Sequence, residues 1–562
     1  MEPKSPSKLK LLSSGSHSCR GKLKICALVT VTLLILAVGL YFAIQLGKAH
    51  IFVSESYFTV VVDCGSTRTR VYVYELLSRG VTKWELPVLV HSYPESSMKN
   101  HLRKGSCEYH CLQTEPGLDK FVGNASGVRS SLEPLINWAE QWVPIEKHKE
   151  TPIFVLATAG LRRLGNEHAM KVLDDVEAVL EEHEFLHNRS WIRVLSGREE
   201  AYYGWVALNY QMGRLGSPSN LSTLGLLDLG GSSLQIAVEE NHAINEKYLV
   251  SSKLGSIEHE VLAYSLPSFG LNAAFERSIA TLLQRQTLEE SRTDAYRVRH
   301  PCLDSNSEQN FTCYDCFGIN ATDKKTSSSS TQKTEVTSLH VVGEPNWEEC
   351  VILARTAAAN SSGLFNNFIK DSLVGKADFS SSTGTNALNT LSVAPPNTSF
   401  HALSGFFAVH SKLKLKQEAN FTDVLEKGQQ LCSRLWKNSS SASENRNYGE
   451  RFCFQVPYIA SLIHNALSLL NNNITFGPRD VSWTLGAALV EGEFIWQNSS
   501  ETLGTALSLN ITNFFSSTLF LLVLLICLGL VVHRRQIKFP MLGKKRIAAG
   551  VSLPSYIKRQ QN

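Results

Sequence analysis

Two short segments of this chain are built alike: Val61-Val62-Asp63-Cys64-Gly65-Ser66-Thr67-Arg68-Thr69 and Leu226-Leu227-Asp228-Leu229-Gly230-Gly231-Ser232-Ser233-Leu234. In each, an apolar strand ends on an aspartate, glycine and hydroxyl residues follow, and a second alternating strand resumes (Val71 and Val73; Leu234 and Ile236), the pattern of a hairpin with a tight turn. Glycines let backbone N–H groups approach phosphate oxygens, hydroxyls add donors, and a strand-end aspartate can hold a hydrated divalent cation. A single D-x-G-S turn also occurs in ordinary hairpins. Two matched copies point to an enzyme that handles phosphate between two lobes.

The surrounding pattern supplies elements to position these turns. After the first, from a lobe that starts near Tyr57, come a helix around Ser130 to Gln141, an apolar strand Ile153 to Leu156, the turn Ala157-Thr158-Ala159-Gly160 and a helix around Glu167 to His183. The second lobe carries the hairpin Gly225 to Val238 and helical patterns around Ala273 to Glu290, Trp347 to Asn360 and Val456 to Leu470. Strands and helices alternate, so the expected class is α/β. The segment 323–338 is rich in Ser, Thr and Lys without apolar period and is expected to be a disordered surface insertion. No solenoid period and no Walker-type G-x4-G-K-[S/T] run is present.

At 562 residues and 43% hydrophobic content the chain has ample material for packed cores. Two uncharged apolar runs, 25–46 and 514–532, are long enough to cross about 30 Å of hydrocarbon as helices. The first exceeds the apolar core of a signal peptide and lacks a small-x-small cleavage site, so it is expected to stay as an anchor. Lys4, Lys8, Lys10, Arg20, Lys22 and Lys24 precede the first run, and Arg534, Arg535, Lys538, Lys544, Lys545 and Arg546 follow the second. Both tails, 1–24 and 533–562, are therefore expected in the cytoplasm, with the middle region extracellular or in the Golgi or secretory lumen. The net charge of +4 owes much to those tails and requires no nucleic-acid partner.

All N-x-[S/T] sequons (Asn124, Asn188, Asn220, Asn310, Asn320, Asn360, Asn397, Asn420, Asn438, Asn473, Asn498, Asn510) fall between the two runs, as a glycosylated lumenal region requires. Nine of the twelve cysteines lie there too, where disulfides are favoured over the zinc reading of Cys107/Cys111 and Cys313/Cys316. An odd count leaves one thiol unpaired, and Cys64, at the end of a buried strand, is the candidate, as a small core residue.

Three further segments complete a set: Ala157-Thr158-Ala159-Gly160-Leu161-Arg162, Ser196-Gly197-Arg198-Glu199-Glu200-Ala201-Tyr202-Tyr203-Gly204-Trp205 and Trp483-Thr484-Leu485-Gly486-Ala487. With the two turns they match, in order, the five characteristic regions of the apyrases, or nucleoside triphosphate diphosphohydrolases. The chain resembles that family from Tyr57 to Glu491, and most of all its plant membrane-bound branch. The resemblance implies two ribonuclease-H-like lobes of the actin-like superfamily with a central cleft, flanked by two transmembrane helices. Lobe I would comprise 55–197 plus 475–500 and lobe II 198–474. It also implies dependence on Ca²⁺ or Mg²⁺ and removal of the terminal phosphate from nucleoside tri- or diphosphates.

Carried over by position, Glu200 becomes the general base and Ser233 holds the attacking water, while Glu199 reads as a solvated neighbour. Asp63 and Asp228 would hold the metal mostly through water, with Thr158 and Trp483 completing that shell. Phosphates would sit on Gly65, Ser66, Thr67 and Thr69 and on Gly230, Gly231, Ser232 and Gln235. Phe406 or Phe407 would stack on the base, and Arg162 would support its turn. Three positions depart from the family: Cys64 replaces the usual alanine, Arg68 stands where His or Gly is common, and Ala201 replaces the glycine after the catalytic glutamate. Two other readings compete, a sugar kinase of the same superfamily and a catalytically weak nucleotide-binding membrane protein. The choice among ATP, ADP, UDP and GDP, and between Golgi and plasma membrane, stays open at this stage.

Overall fold

The computed structural model describes residues 39, 56–77, 86–93, 112–215, 222–240, 248–255, 257–289, 297–314, 336–359, 398–418, 420–437, 451–467, 469, 473–495 and 526. They belong to two units, 1–501 and 502–562, and all but Ile526 lie in the first. Among the described residues no helix is long and apolar enough to cross a membrane. The two apolar runs lie outside them except for Gly39 and Ile526.

The strands follow in chain order: β1 (Ser56–Cys64), β2 (Thr69–Leu77), β3 (Val88–Tyr93), β4 (Leu112–Thr114), β5 (Ile153–Ala157), β6 (Ile192–Val194), β7 (Gly225–Leu229), β8 (Ser233–Glu239), β9 (Leu249–Leu254), β10 (Ile257–Pro267), β11 (Arg297–His300), β12 (Glu308–Tyr314), β13 (Val336–Gly343), β14 (Ser399–Ser404) and β15 (Asn473–Phe476). The first sheet runs β3-β2-β1-β5-β6, with β4 beside β2, and the second runs β15-β14-β7-β8-β10-β9. In both, the leading strand pairs antiparallel with the next one in sequence and parallel with a later strand on its other edge. The architecture is α/β with mixed sheets. The third sheet, β11-β13-β12, takes Val336 to Ser338 into β13, so the end of the expected insertion is a strand.

Side-chain alternation divides the core into layers. On β1, Val60 and Val62 face helices Ala125–Trp142 and Asn166–Leu180 on the outside of the first sheet, while Val61 faces inward. On β7, Leu227 joins the outer core of the second sheet and Leu226 the inner one. Helices Gly197–Gln211 and Trp483–Glu491 fill the space between the sheets, around the fully buried Trp205. These two helices cross so closely that a Cβ on Gly486 would lie 1.9 Å from the Tyr203 carbonyl oxygen. Only glycine fits there.

Disulfides Cys302–Cys350 and Cys432–Cys453 hold the second lobe's outer core, and Cys64 is a free thiol buried at the end of β1. The disulfides and the unpaired, buried Cys64 match the expected use of the cysteines. Cys107, Cys111, Cys316 and the Cys313 side chain lie outside the described residues.

Candidate active site

The matched hairpins meet across one cavity of about 370 Å³ between the lobes. Their registers are equivalent. Cys64 pairs with Thr69 and Asp63 with Arg70 in the first; Leu229 pairs with Leu234 and Asp228 with Gln235 in the second. Each turn thus leaves its aspartate at the carboxyl end of a strand whose parallel neighbour also ends there, the place where open α/β sheets bind ligands.

The surroundings make both turns rigid. N–H groups of Ser268, Leu271 and Asn272 donate to the carbonyls of Ser232 (2.9 Å), Gly230 (3.0 Å) and Gly231 (2.9 Å). Gly270 permits this approach, because a Cβ there would fall 2.3 Å from the Ser232 nitrogen. On the other side the Thr158 N–H donates to the Cys64 carbonyl at 3.1 Å. Across the cleft, the Ser232 hydroxyl donates to the Ser66 hydroxyl at 3.0 Å, so the two turns touch where a phosphate chain would lie.

Gly65, Ser66, Thr67, Gly230, Gly231, Ser232, Ser233, Gln235, Thr158, Trp483, Glu200 and both aspartates all line this cavity. Three expected site residues do not. Thr69 is fully buried in β2, paired with Cys64 and Thr114. Phe406 is fully buried in the second lobe's outer core, and Phe407 lies beside Gly477. The expected stacking partners are absent from the cavity wall because helix Gly405–Lys412 buries Phe406 in the core, sets the half-buried Phe407 beside Gly477 and leaves Gly405 and Ala408 at the surface of the cavity. Gln235 lines the cavity, but its amide donates to Ser233 Oγ (2.8 Å) and Ser265 Oγ (3.1 Å), and these two bonds orient Ser233.

Glu200 enters from the first turn of helix Gly197–Gln211. Ser196 caps that helix and Glu199 returns the bond to the Ser196 N–H at 2.7 Å, a capping box. Glu199 also pairs with Arg193 at 2.7 Å, and Arg193 reaches Glu491 at 2.9 Å, tying the helix to both β6 and helix Trp483–Glu491. Glu199 is therefore a structural anchor and not a solvated bystander. Arg162 holds the Leu195 carbonyl at 2.9 Å with Nε and Glu200 Oε2 at 2.8 Å with Nη2. Its part in fixing Glu200 was not legible in the sequence.

Burial pushes the Glu200 carboxyl up to about 7; Arg162 opposes this, and Asp63 and Asp228 add to the rise. Burial likewise raises Asp63, against the pull of Arg70, and raises Asp228, against a hydrogen bond from Ser404 and with a contribution from Asp63. Arg70 Nη1 lies 3.0 Å from Asp63 Oδ2, inside the cavity. Sequence reading passed over Arg70, although counting back from the four-residue turn sets it opposite Asp63.

Among the described residues no group of three or more His, Cys, Asp or Glu gathers as a metal cage. The two strand-end carboxylates, of which Asp63 raises the proton affinity of Asp228, line the cavity with Thr158 and still form an oxygen donor set suited to a cation that keeps most of its water. Arg68, one of the departures, pairs with Glu115 at 3.0 Å and so is turned toward the β4 side of the cavity.

Residues 50–499 match the model of the GDA1/CD39 (nucleoside phosphatase) family. The chain is 34% identical to "Probable apyrase 7" of Arabidopsis thaliana, over 91% of this chain and 67% of that protein. It is 25% identical to "Nucleoside-diphosphatase mig-23" of Caenorhabditis elegans, over 89% of each. It is also 25% identical to "Ectonucleoside triphosphate diphosphohydrolase 7" of Pongo abelii, over 78% of this chain and 73% of that one. Among solved structures, nucleoside triphosphate hydrolase from Neospora caninum aligns with a TM-score of 0.53 at 15% identity, covering 84% of this chain and 99% of that one. That likeness concerns the fold.

Proposed function

The chain belongs to the GDA1/CD39 (nucleoside phosphatase) family and is a nucleoside phosphohydrolase, and from that premise we propose that it removes the terminal phosphate from nucleoside tri- or diphosphates by cation-assisted attack of water. The observation that carries this reading is the convergence of two glycine-hydroxyl turns, two strand-end aspartates and Glu200 on one cavity. The shared strand order of the two sheets supports a pair of ribonuclease-H-like lobes.

In this scheme the phosphate chain lies between the turns, and the Ser66–Ser232 contact opens so that each hydroxyl donates to phosphate oxygen. Glu200, as carboxylate, takes a proton from water as the water oxygen bonds to the terminal phosphorus and the bridging P–O bond breaks. The products are orthophosphate and a nucleotide one phosphate shorter. Ser233 accepts from Gln235, which leaves its own proton to orient the water. A divalent cation held by Asp63 and Asp228 would offset the charge that builds on the phosphate oxygens. The Arg162 bridge keeps Glu200 from swinging out of the cavity.

We place the catalytic region on the extracellular or lumenal side, anchored by two spans, 25–46 and 514–532. Support comes from the disulfides and from the sequon residues Asn124, Asn188, Asn310, Asn420 and Asn473, all of which are exposed. The purified full-length chain should release phosphate from at least one of ATP, ADP, UDP and GDP when Mg²⁺ or Ca²⁺ is supplied. No release from any of them would sink the reading. Protease applied to sealed vesicles should trim only the tails and leave a fragment that a glycosidase shortens; an unglycosylated fragment would refute the sidedness.

A further inference from the structure

The common register of the two hairpins makes the residues opposite their aspartates comparable, and these differ in charge. Asp228 faces a neutral amide, Gln235, whereas Asp63 faces the guanidinium of Arg70. That asymmetry places one positive charge in the cavity that both carboxylates line, since Arg70 is ion-paired to Asp63 at 3.0 Å and lines the same cavity as Asp228. The Arg70 side chain is about a third exposed, at 32%, and Arg70 lines the cavity, whereas Asp63 is almost wholly buried. Gln235 shows what the position does when it only supports its neighbours: its amide is spent on Ser233 and Ser265. Arg70 has five donors in a rigid fork, and the pair with Asp63 uses one of its end nitrogens.

We propose that Arg70 serves two partners in turn: it neutralises Asp63 in the ion-free protein, and yields that carboxylate to the divalent cation so that its guanidinium grips the terminal phosphoryl oxygens of the nucleotide. The proposal rests on the phosphohydrolase reading and adds to it a residue that links cation arrival to phosphate binding. Cation and guanidinium compete for one carboxylate, and both are attracted to the same charge on the phosphate. Removing Arg70 therefore has opposite effects on two measurements. Cation binding improves and turnover falls.

The test uses the full-length chain without nucleotide, with free Mn²⁺ followed by electron paramagnetic resonance. Arg70→Gln should bind Mn²⁺ about tenfold more tightly than wild type, because a competing cation is gone. With saturating Mg²⁺ and nucleotide its kcat should fall about 100-fold, the scale of one lost electrostatic donor. Unchanged or weaker Mn²⁺ binding, or a kcat within about threefold of wild type, would overturn the proposal; the latter would mark Arg70 as a structural counter-ion. Should Arg70→Gln not fold, Arg70→Lys carries the test. It keeps the charge, so Mn²⁺ affinity should stay within about threefold of wild type while kcat drops about tenfold, because an ammonium lacks the fork. A lysine variant with tenfold altered Mn²⁺ affinity or wild-type kcat overturns it equally. A wild-type chain that hydrolyses no nucleotide would refute the functional reading, while the Mn²⁺ titration would still test the competition by itself.

Discussion

Glu200→Gln will lower kcat by about 10²- to 10⁴-fold, the range that general-base assistance supplies, and will leave nucleotide affinity close to wild type. Glutamine keeps the size of the side chain and an oxygen for Arg162, so the helix start and its capping box persist. What it loses is the ability to take the proton of the attacking water. Glu199→Gln is the matched control. It weakens the ion pair with Arg193 and the return bond of the capping box, so it should lower stability by about 0.5–1.5 kcal/mol and spare most of kcat. Activity near wild type in Glu200→Gln, or equal losses in the two variants, would remove Glu200 from the mechanism.

The same residue sets the pH dependence. A base works only when deprotonated, and burial, with the two aspartates adding to it against Arg162, holds Glu200 to about 7 in the ion-free protein. kcat/KM should therefore rise with pH along a limb of unit slope and level off above its midpoint. Cation bound to Asp63 and Asp228 removes their contribution, so the midpoint should fall below 7 as Mg²⁺ approaches saturation. Profiles at two Mg²⁺ concentrations check this, and the limb should vanish in Glu200→Gln.

What the sequence disclosed follows the range of the interactions. The turns at Asp63 and Asp228 and the first turn of helix Gly197–Gln211 are encoded within ten residues, and the structure brings their side chains to one cavity. Arg162 acts on Glu200 across 38 positions of chain, and Ser66 meets Ser232 across 166, so neither pairing has a local signal. Phe406 misled for a related reason. Helix Gly405–Lys412 is apolar on most sides, and periodicity cannot tell which side meets the cavity and which meets the core. Helix Phe421–Lys437 is strongly amphipathic and has Gly428 in its interior, a residue that weakens the helical signal. The structure gives that glycine a purpose: a Cβ there would meet Val456 at 2.5 Å, so the gap in the pattern is the place where two helices approach.

Chelation gives the second large effect. If Asp63 and Asp228 hold one hydrated cation between them, EDTA should abolish hydrolysis and either Mg²⁺ or Ca²⁺ should restore it, since a water-rich shell adapts to both sizes. Asp63→Ala and Asp228→Ala should each cost at least about 10²-fold in kcat. Their surroundings predict different side effects. Asp63→Ala strands the Arg70 guanidinium beside a methyl group and should also cost stability, whereas Asp228→Ala leaves only the Ser404 hydroxyl without its partner and should cost less. In catalysis, however, the two act as a unit. The double variant should be little slower than either single one, because losing one carboxylate already empties the site. Full activity in EDTA, or two mild single effects that simply add, would mean that the aspartates close structural hairpins and that the phosphates are held by turn backbone and arginine alone.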